Sequence, residues 1–257
     1  MPRKTPPSQT EHEFLQQYDA NAFERPSVTV DVVMLTVRNR TLEVLLVKRA
    51  EHPFQGAWSL PGGFVGMNES LESAANRVLE AKTGLNNVYL EQLYTFGKPG
   101  RDPRTRVISV AHVALITAER IKKLAALEQP AAPTNNTVTL GEIHVPWEGE
   151  TGGPVDVRLE GKPVKLAFDH SDIIGMAVKR LRGKLDYTPV GFQLLPERFT
   201  LRALQDIHET ILGRTVNKDS FRRRMQLSGQ LSATGNREAG TDYRPAEYYT
   251  FNTPSAI

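Results

Sequence analysis

The sequence predicts an α/β unit followed by a helix-turn-helix with a wing. Three observations carry this. Apolar residues alternate or run together from Val28 to Val47 as in strands, and a glycine turn then leads into one amphipathic helix with caps at both ends. Near the C-terminus, two cap-and-staple helix starts lie close together across a short glycine-containing turn.

The 257 residues suffice for one large or two ordinary domains. There is no cysteine, which excludes disulfides and thiolate metal sites. Residues 1–26 are polar and lack the apolar run of a signal peptide, and no later stretch has the apolar length of a membrane span. A cytoplasmic protein with a loosely ordered, flexible N-terminal arm is expected.

Val28, Val30 and Val32 alternate with Thr29 and Asp31, and Val33-Met34-Leu35 continues without a polar break. Arg38-Asn39-Arg40 is a turn, and Leu42 to Val47 a second strand, so a hairpin is predicted. Arg49 beyond it is either a phosphate contact or a solvated strand end. Trp58 packs either in the core or beside a ligand cleft.

The stretch Leu60 to Leu85 reads LPGGFVGMNESLESAANRVLEAKTGL. Gly62 and Gly63 allow close approach of backbone to a ligand. Asn68, Glu69 and Ser70 supply the polar chemistry of a helix start, and Gly84 supplies its stop. This stretch resembles the Nudix box, the loop-helix-loop signature of enzymes that cleave nucleoside diphosphates linked to another moiety. Gly63, Glu69, Arg77, Leu79, Gly84 and Leu85 fit that pattern in register. The family's three metal-binding glutamates are replaced by Val78, Ala81 and Lys82. Glu80 lies about 200° round the helix from Val78 and does not substitute. Magnesium prefers carboxylate and water oxygens, so no metal site and no catalytic residue are assigned. Lys82 suits binding a pyrophosphate better than cutting it. An unusual metal site at Glu69 and Glu72 is the alternative, as is a plain amphipathic helix.

Val88 to Phe96 and Arg106 to Ile116 read as strands. The loop between them holds Arg101, Asp102 and Arg104, and GRDPR followed by RVISVAHVAL resembles Nudix proteins that recognise ADP-ribose. Guanidinium groups donate paired hydrogen bonds to pyrophosphate oxygens; the alternative is a solvated hairpin loop. Phe96 either stacks on an adenine or ends its strand in the core. Ile121 to Leu127 is a short helix, residues 128–137 a loop, and Glu142 to Trp147, VDVRLE and PVKLAF short strands. The domain boundary falls between Trp147 and Lys165, giving a ligand-sensing domain over 27–160 and a second domain over 165–257.

Residues 171–257 carry 13 Lys and Arg against 9 Asp and Glu, so the chain's net excess of +3 lies in this part. A helix is predicted over 171–184. Thr200 caps another, with Phe199 and Leu204 as its staple, ending at Gly213. Asn217 caps the next, with Val216 and Phe221 as the second staple. In that helix Phe221 and Met225 face inward, so Arg223, Asp219 and Gln226 point away with Arg222 beside them. Arginine and glutamine on an outward face can read base edges in a major groove. Lys218 and Arg224 suit phosphates. Two strands around a tip at residues 235–240, with Asn236 and Arg237, form the wing. A solvated basic face, or one meeting an acidic protein, is the alternative.

A Nudix-like domain with an altered box followed by a winged helix resembles the Nudix-related transcriptional regulators of bacterial NAD metabolism. The segments LAFDH (Leu166 to His170), FQLLPERFTL (Phe192 to Leu201) and FRRRM carry the likeness. The resemblance implies a Nudix-like mixed-sheet α/β/α sandwich followed by a winged helix-turn-helix domain. It also implies a homodimer on a double-stranded DNA operator, acting as a repressor of NAD-metabolism genes with ADP-ribose or a related nucleotide as effector. Activation, and sugar derivatives as ligands, stay open. A Nudix pyrophosphatase converting ADP-ribose to AMP and ribose 5-phosphate with magnesium is the competing reading.

Overall fold

The computed structural model describes residues 10–19, 21–86, 88–126, 137–239 and 245–252. The loop predicted before β-rich residues 138–144 lies largely outside them, as does the far side of the wing.

In the N-terminal arm, where loose order was expected, helix α1 (Glu11–Gln17) forms, started by a reciprocal capping box between Thr10 and Glu13. It buries none of its residues. Strands β1 (Ser27–Arg38) and β2 (Thr41–Lys48) make the predicted hairpin. Asn39 and Arg40 turn it, both with positive φ, as a two-residue hairpin turn demands. Then come β3 (Trp58–Ser59), β4 (Gly62–Phe64) and helix α2 (Leu71–Thr83). Ser70 caps α2 and Gly84 closes it in the left-handed conformation. Strands β5 (Tyr89–Phe96) and β6 (Val107–Leu115), helix α3 (Ala118–Ala126), and strands β7 (Val138–His144), β8 (Asp156–Leu159) and β9 (Lys162–Val164) follow.

These strands form one sheet in the order β5-β6-β1-β2-β7-β8-β9, with β3 beside β2 and β4 beside β1. Strands β1 and β6 are parallel and the other pairs antiparallel, so the sheet is mixed. Helix α4 (His170–Lys184) covers the second face. Val30, Val32 and Met34 of β1 join the core under α2 and α3. Val33, Leu35 and Val37 join the core under α4. Both faces of β1 are therefore dry, which is why its apolar run has no polar breaks.

A 3-10 turn (Pro189–Leu194) leads to β10 (Phe199–Thr200), α5 (Leu201–Leu212), α6 (Lys218–Leu227), β11 (Leu231–Arg237) and β12 (Glu247–Phe251). The last strands make a separate sheet, β10-β12-β11. Both staples are buried, with Phe199, Leu204 and Phe221 in the core and Val216 packed against it. That core is continuous from the sheet face through α4 into α5 and α6. Helix α4, assigned from sequence to the C-terminal unit, thus belongs as much to the sandwich.

Candidate functional site

Strand pairing sets the glycine turn against β1, with Gly62 opposite Asp31 and Gly63 opposite Val30. The turn, the end of β2 and the loop after β5 enclose a cleft of about 360 Å³. Arg49, Gly62, Gly63, Lys82, Arg101, Asp102 and Arg104 all line it. Phe96 does not: it packs against the main core, edge-on to Tyr94. Trp58 likewise packs on the core, with Lys48 over its ring.

The floor of the cleft is a buried polar cluster. Asp31 is 7% exposed and accepts a short hydrogen bond from Ser109 Oγ. Arg101 Nη2 lies 3.5 Å from Asp31 Oδ2, while its main partner is Asp169, reached at 2.9 Å through Nε and 2.6 Å through Nη2. Burial opposes the Arg101 charge, but the Asp169 and Asp31 carboxylates together outweigh it and hold the guanidinium's pKa above the ordinary value. His170 Nδ1 accepts the Leu60 N–H at 2.9 Å, so the neutral ring carries its proton on Nε2, 3.7 Å from Asp31 Oδ1. Burial also pushes the His170 pKa down.

Arg101 and Asp102, read from sequence as ligand contacts, are therefore largely committed within the protein. Asp102 holds Arg104 at 2.7 and 3.0 Å, and that hydrogen bond lowers its pKa. Arg104 is presented over the exposed ring of Phe64, 5.5 Å away. Arg49 bonds the Pro53 carbonyl at 2.7 Å and lies 4.8 Å over Phe168; burial lowers its pKa. Among the described residues Lys82 has no ion-pair partner. The mouth thus offers three cations and an open aromatic face.

Magnesium does not fit this donor set. Val78 is buried, packed where a side chain at Gly63 would stand. Ala81 is apolar, and Lys82 brings an ammonium into the cleft. Glu69 is bonded by Arg77 at 2.9 and 2.5 Å and by the Gly66 N–H at 2.7 Å. Arg77 first, then that N–H, pull its pKa down to about 2. It braces the loop. Among the described residues, no group of three His, Asp or Glu is arranged to hold a metal.

At the other end, Thr200 caps α5 and Asn217 caps α6, with Gly213 left-handed between them. Glu209 accepts the Val216 N–H at 3.1 Å and ties the turn. Phe221 and Met225 are buried, and Lys218, Asp219, Arg223, Arg224 and Gln226 are exposed, with Arg222 at the margin. Arg224 is held 2.9 Å from Asp186. The wing differs from expectation: β11 runs on through Asn236 to Arg237, which pairs with Glu247 across a register shift that includes Gly235. Both side chains project from a strand rather than from the tip.

Two family models match, the NUDIX domain over residues 26–139 and the NrtR DNA-binding winged helix domain over 191–251. The chain is 36% identical to an ADPR-responsive transcriptional repressor, NtrR, of Acinetobacter baylyi, across 94% of this chain and 88% of that one. This chain belongs to the NrtR family. The NrtR of Shewanella oneidensis, solved with a 27mer DNA, superposes with a TM-score of 0.69 at 34% identity, covering 88% of this chain and 93% of that one. The NUDIX domain of the same NrtR, solved with ADP ribose, matches at a TM-score of 0.50 and 33% identity, covering 67% and 99%.

Sequence reasoning missed Asp31, Phe64, Phe168 and His170 as cleft residues, and Asp169 as the partner that holds Arg101. LAFDH carried part of the signal, through resemblance alone. A lone aspartate in an apolar strand was the only local mark of Asp31.

Proposed function

We propose that this NrtR-family chain is an ADP-ribose-responsive repressor of NAD-metabolism genes, acting in the cytoplasm as a homodimer on a palindromic operator. The observation that carries this is the cleft itself. Where the Nudix pattern has metal-binding glutamates, this cleft has Lys82, beside Arg49 and Arg104. Cations there hold a pyrophosphate and do not recruit the metal that hydrolysis uses. The exposed Phe64 ring, under Arg104, is the platform for the adenine. The ADPR-responsive repressor of Acinetobacter baylyi and the Shewanella oneidensis NUDIX domain solved with ADP ribose support the same assignment.

Arg222, Arg223 and Gln226 read base edges from α6, while Lys218, Arg224, Asn236 and Arg237 meet the backbone; Asp219, on the same face, screens against wrong bases. Two such helices in a dimer would engage half-sites roughly 34–36 Å apart. ADP-ribose releases DNA because it binds the two dimer geometries unequally. The ligand-sensing part extends over 27–160 and the winged helix follows it.

The test is a selection of the organism's own fragmented genome on purified protein at physiological salt, with and without ADP-ribose. Retention of a palindromic site upstream of a few operons, released by ADP-ribose, is the expected result. Retention without sequence preference, or magnesium-dependent turnover of ADP-ribose, would overturn it.

A further inference from the structure

Helix α4 is bonded at one end to the cleft and at the other to the helix-turn-helix. At its start, Asp169 accepts hydrogen bonds from Nε and Nη2 of Arg101, a side chain only 5% exposed. His170 holds the backbone of Leu60, two residues before Gly62. At its end, Arg182 is 7% exposed. It donates Nε to the Ile211 carbonyl at 2.8 Å and Nη1 to the Gly149 carbonyl at 2.8 Å. Its guanidinium lies 4.9 Å over Trp147. Ile211 sits in the last turn of α5, and a side-chain carbon at Gly213, which opens the turn to α6, would stand 3.1 Å from Arg182 Nη2. The 15 residues of α4 reach about 22 Å.

A second bridge joins the same parts. Arg40, at the hairpin turn, lies 2.7 Å from Asp206 and 3.2 Å from Glu209 of α5. Arg40 is 56% exposed, so water and salt screen this pair. The Arg182 bond to the Ile211 carbonyl is buried, that to Gly149 only partly, and losing the first strands the Ile211 carbonyl away from water that would replace the donor. The buried bridge is the stiff one.

We propose that Arg182 is the positioning residue that passes cleft occupancy to the DNA-reading helix, with the Arg101–Asp169 clamp as the input end of α4. The inference rests on the ADP-ribose-responsive repressor reading. A phosphate that shifts the Arg101 loop shifts Asp169 and the start of α4. Arg182 carries that shift to the end of α5, from which α6 is hung.

The test uses the full chain and an operator duplex from the selection. Operator Kd is measured with and without saturating ADP-ribose, and ADP-ribose Kd on DNA-free protein, for wild type and for Arg182→Met, Arg182→Lys, Asp169→Asn and Arg40→Ala. Wild type should show a change of about tenfold or more in operator Kd on adding ADP-ribose. Arg182→Met should bind ADP-ribose within about twofold of wild type, with the operator ratio collapsed towards one. Asp169→Asn and Arg182→Lys should lower the ratio, and these keep the test open should the methionine variant fail to fold. Arg40→Ala should keep the wild-type ratio. Folded Arg182 and Asp169 variants with a wild-type ratio, or loss of the ratio in Arg40→Ala alone, would overturn the proposal. An unresponsive wild type would sink the repressor reading and this one together.

Discussion

Asp31 Oδ1 stands 2.3 Å from the point that the first side-chain carbon of residue 62 would occupy. Gly62 has no positive φ, so it is required by this close approach of a buried carboxylate and not by backbone strain. Gly62→Ala should displace Asp31 from Ser109 and Arg101. Overpacking of this kind costs about 1–3 kcal/mol. A lowered denaturant midpoint together with weaker ADP-ribose binding by calorimetry would be the outcome; unchanged binding would mean that the floor of the cleft does not shape it.

Two phenylalanines distinguish the cleft from the core, Phe64 lining the one and Phe96 packing on the other. Phe64→Ala should weaken ADP-ribose binding by about 1–2 kcal/mol, roughly tenfold, because a stacked base loses its partner. Phe96→Ala should leave that affinity alone and lower the melting temperature instead, since Phe96 packs on the core. Titration calorimetry and thermal melts on both variants decide it.

The DNA face predicts a difference in kind between neighbouring arginines. Arg223→Ala should cost about 1–3 kcal/mol on the operator and relax preference at one base position. Arg224→Ala should weaken all sequences alike and reduce the salt slope by about one. Binding measured across a salt series on operator and scrambled duplexes separates these outcomes.

His208 of α5 lies edge-on to Phe221, 5.0 Å between ring centres, with its Nδ1 buried and unbonded. Burial, with Arg224 nearby, brings its pKa down to about 4 from 6.5. The unfolded chain therefore binds the extra proton first as pH falls. The stability this neutral ring allows is present above about pH 6.5 and is lost towards pH 4, by about 3 kcal/mol. Urea unfolding at pH 7 and 4.5 should show a smaller acid loss in His208→Leu than in wild type. Equal losses would mean that the ring is not held neutral.

Local chemistry made much of this chain legible before any fold was known. Ser70, Thr200 and Asn217 bond amides three residues on, and Gly84 and Gly213 need only their own φ, so helix ends are written within one turn of sequence. The α6 face followed from 100° per residue, because Phe221 and Met225 had one core to face. Val78, Ala81 and Lys82, at the positions where the resemblance to the Nudix pattern implies glutamates, were equally visible. Tertiary structure alone decided which groups make the buried polar cluster at the floor of the cleft. Asp31, Arg101, Asp169 and His170 come from a strand, a loop and a helix start far apart in sequence, and only the mixed sheet and α4 bring them within bonding distance. It also decided that Phe64 and not Phe96 lines the cleft, and that Asp102 serves Arg104. Hydrogen bonds and ion pairs act over a few ångströms of space, and the sequence specifies that spacing directly only along a single helix or strand.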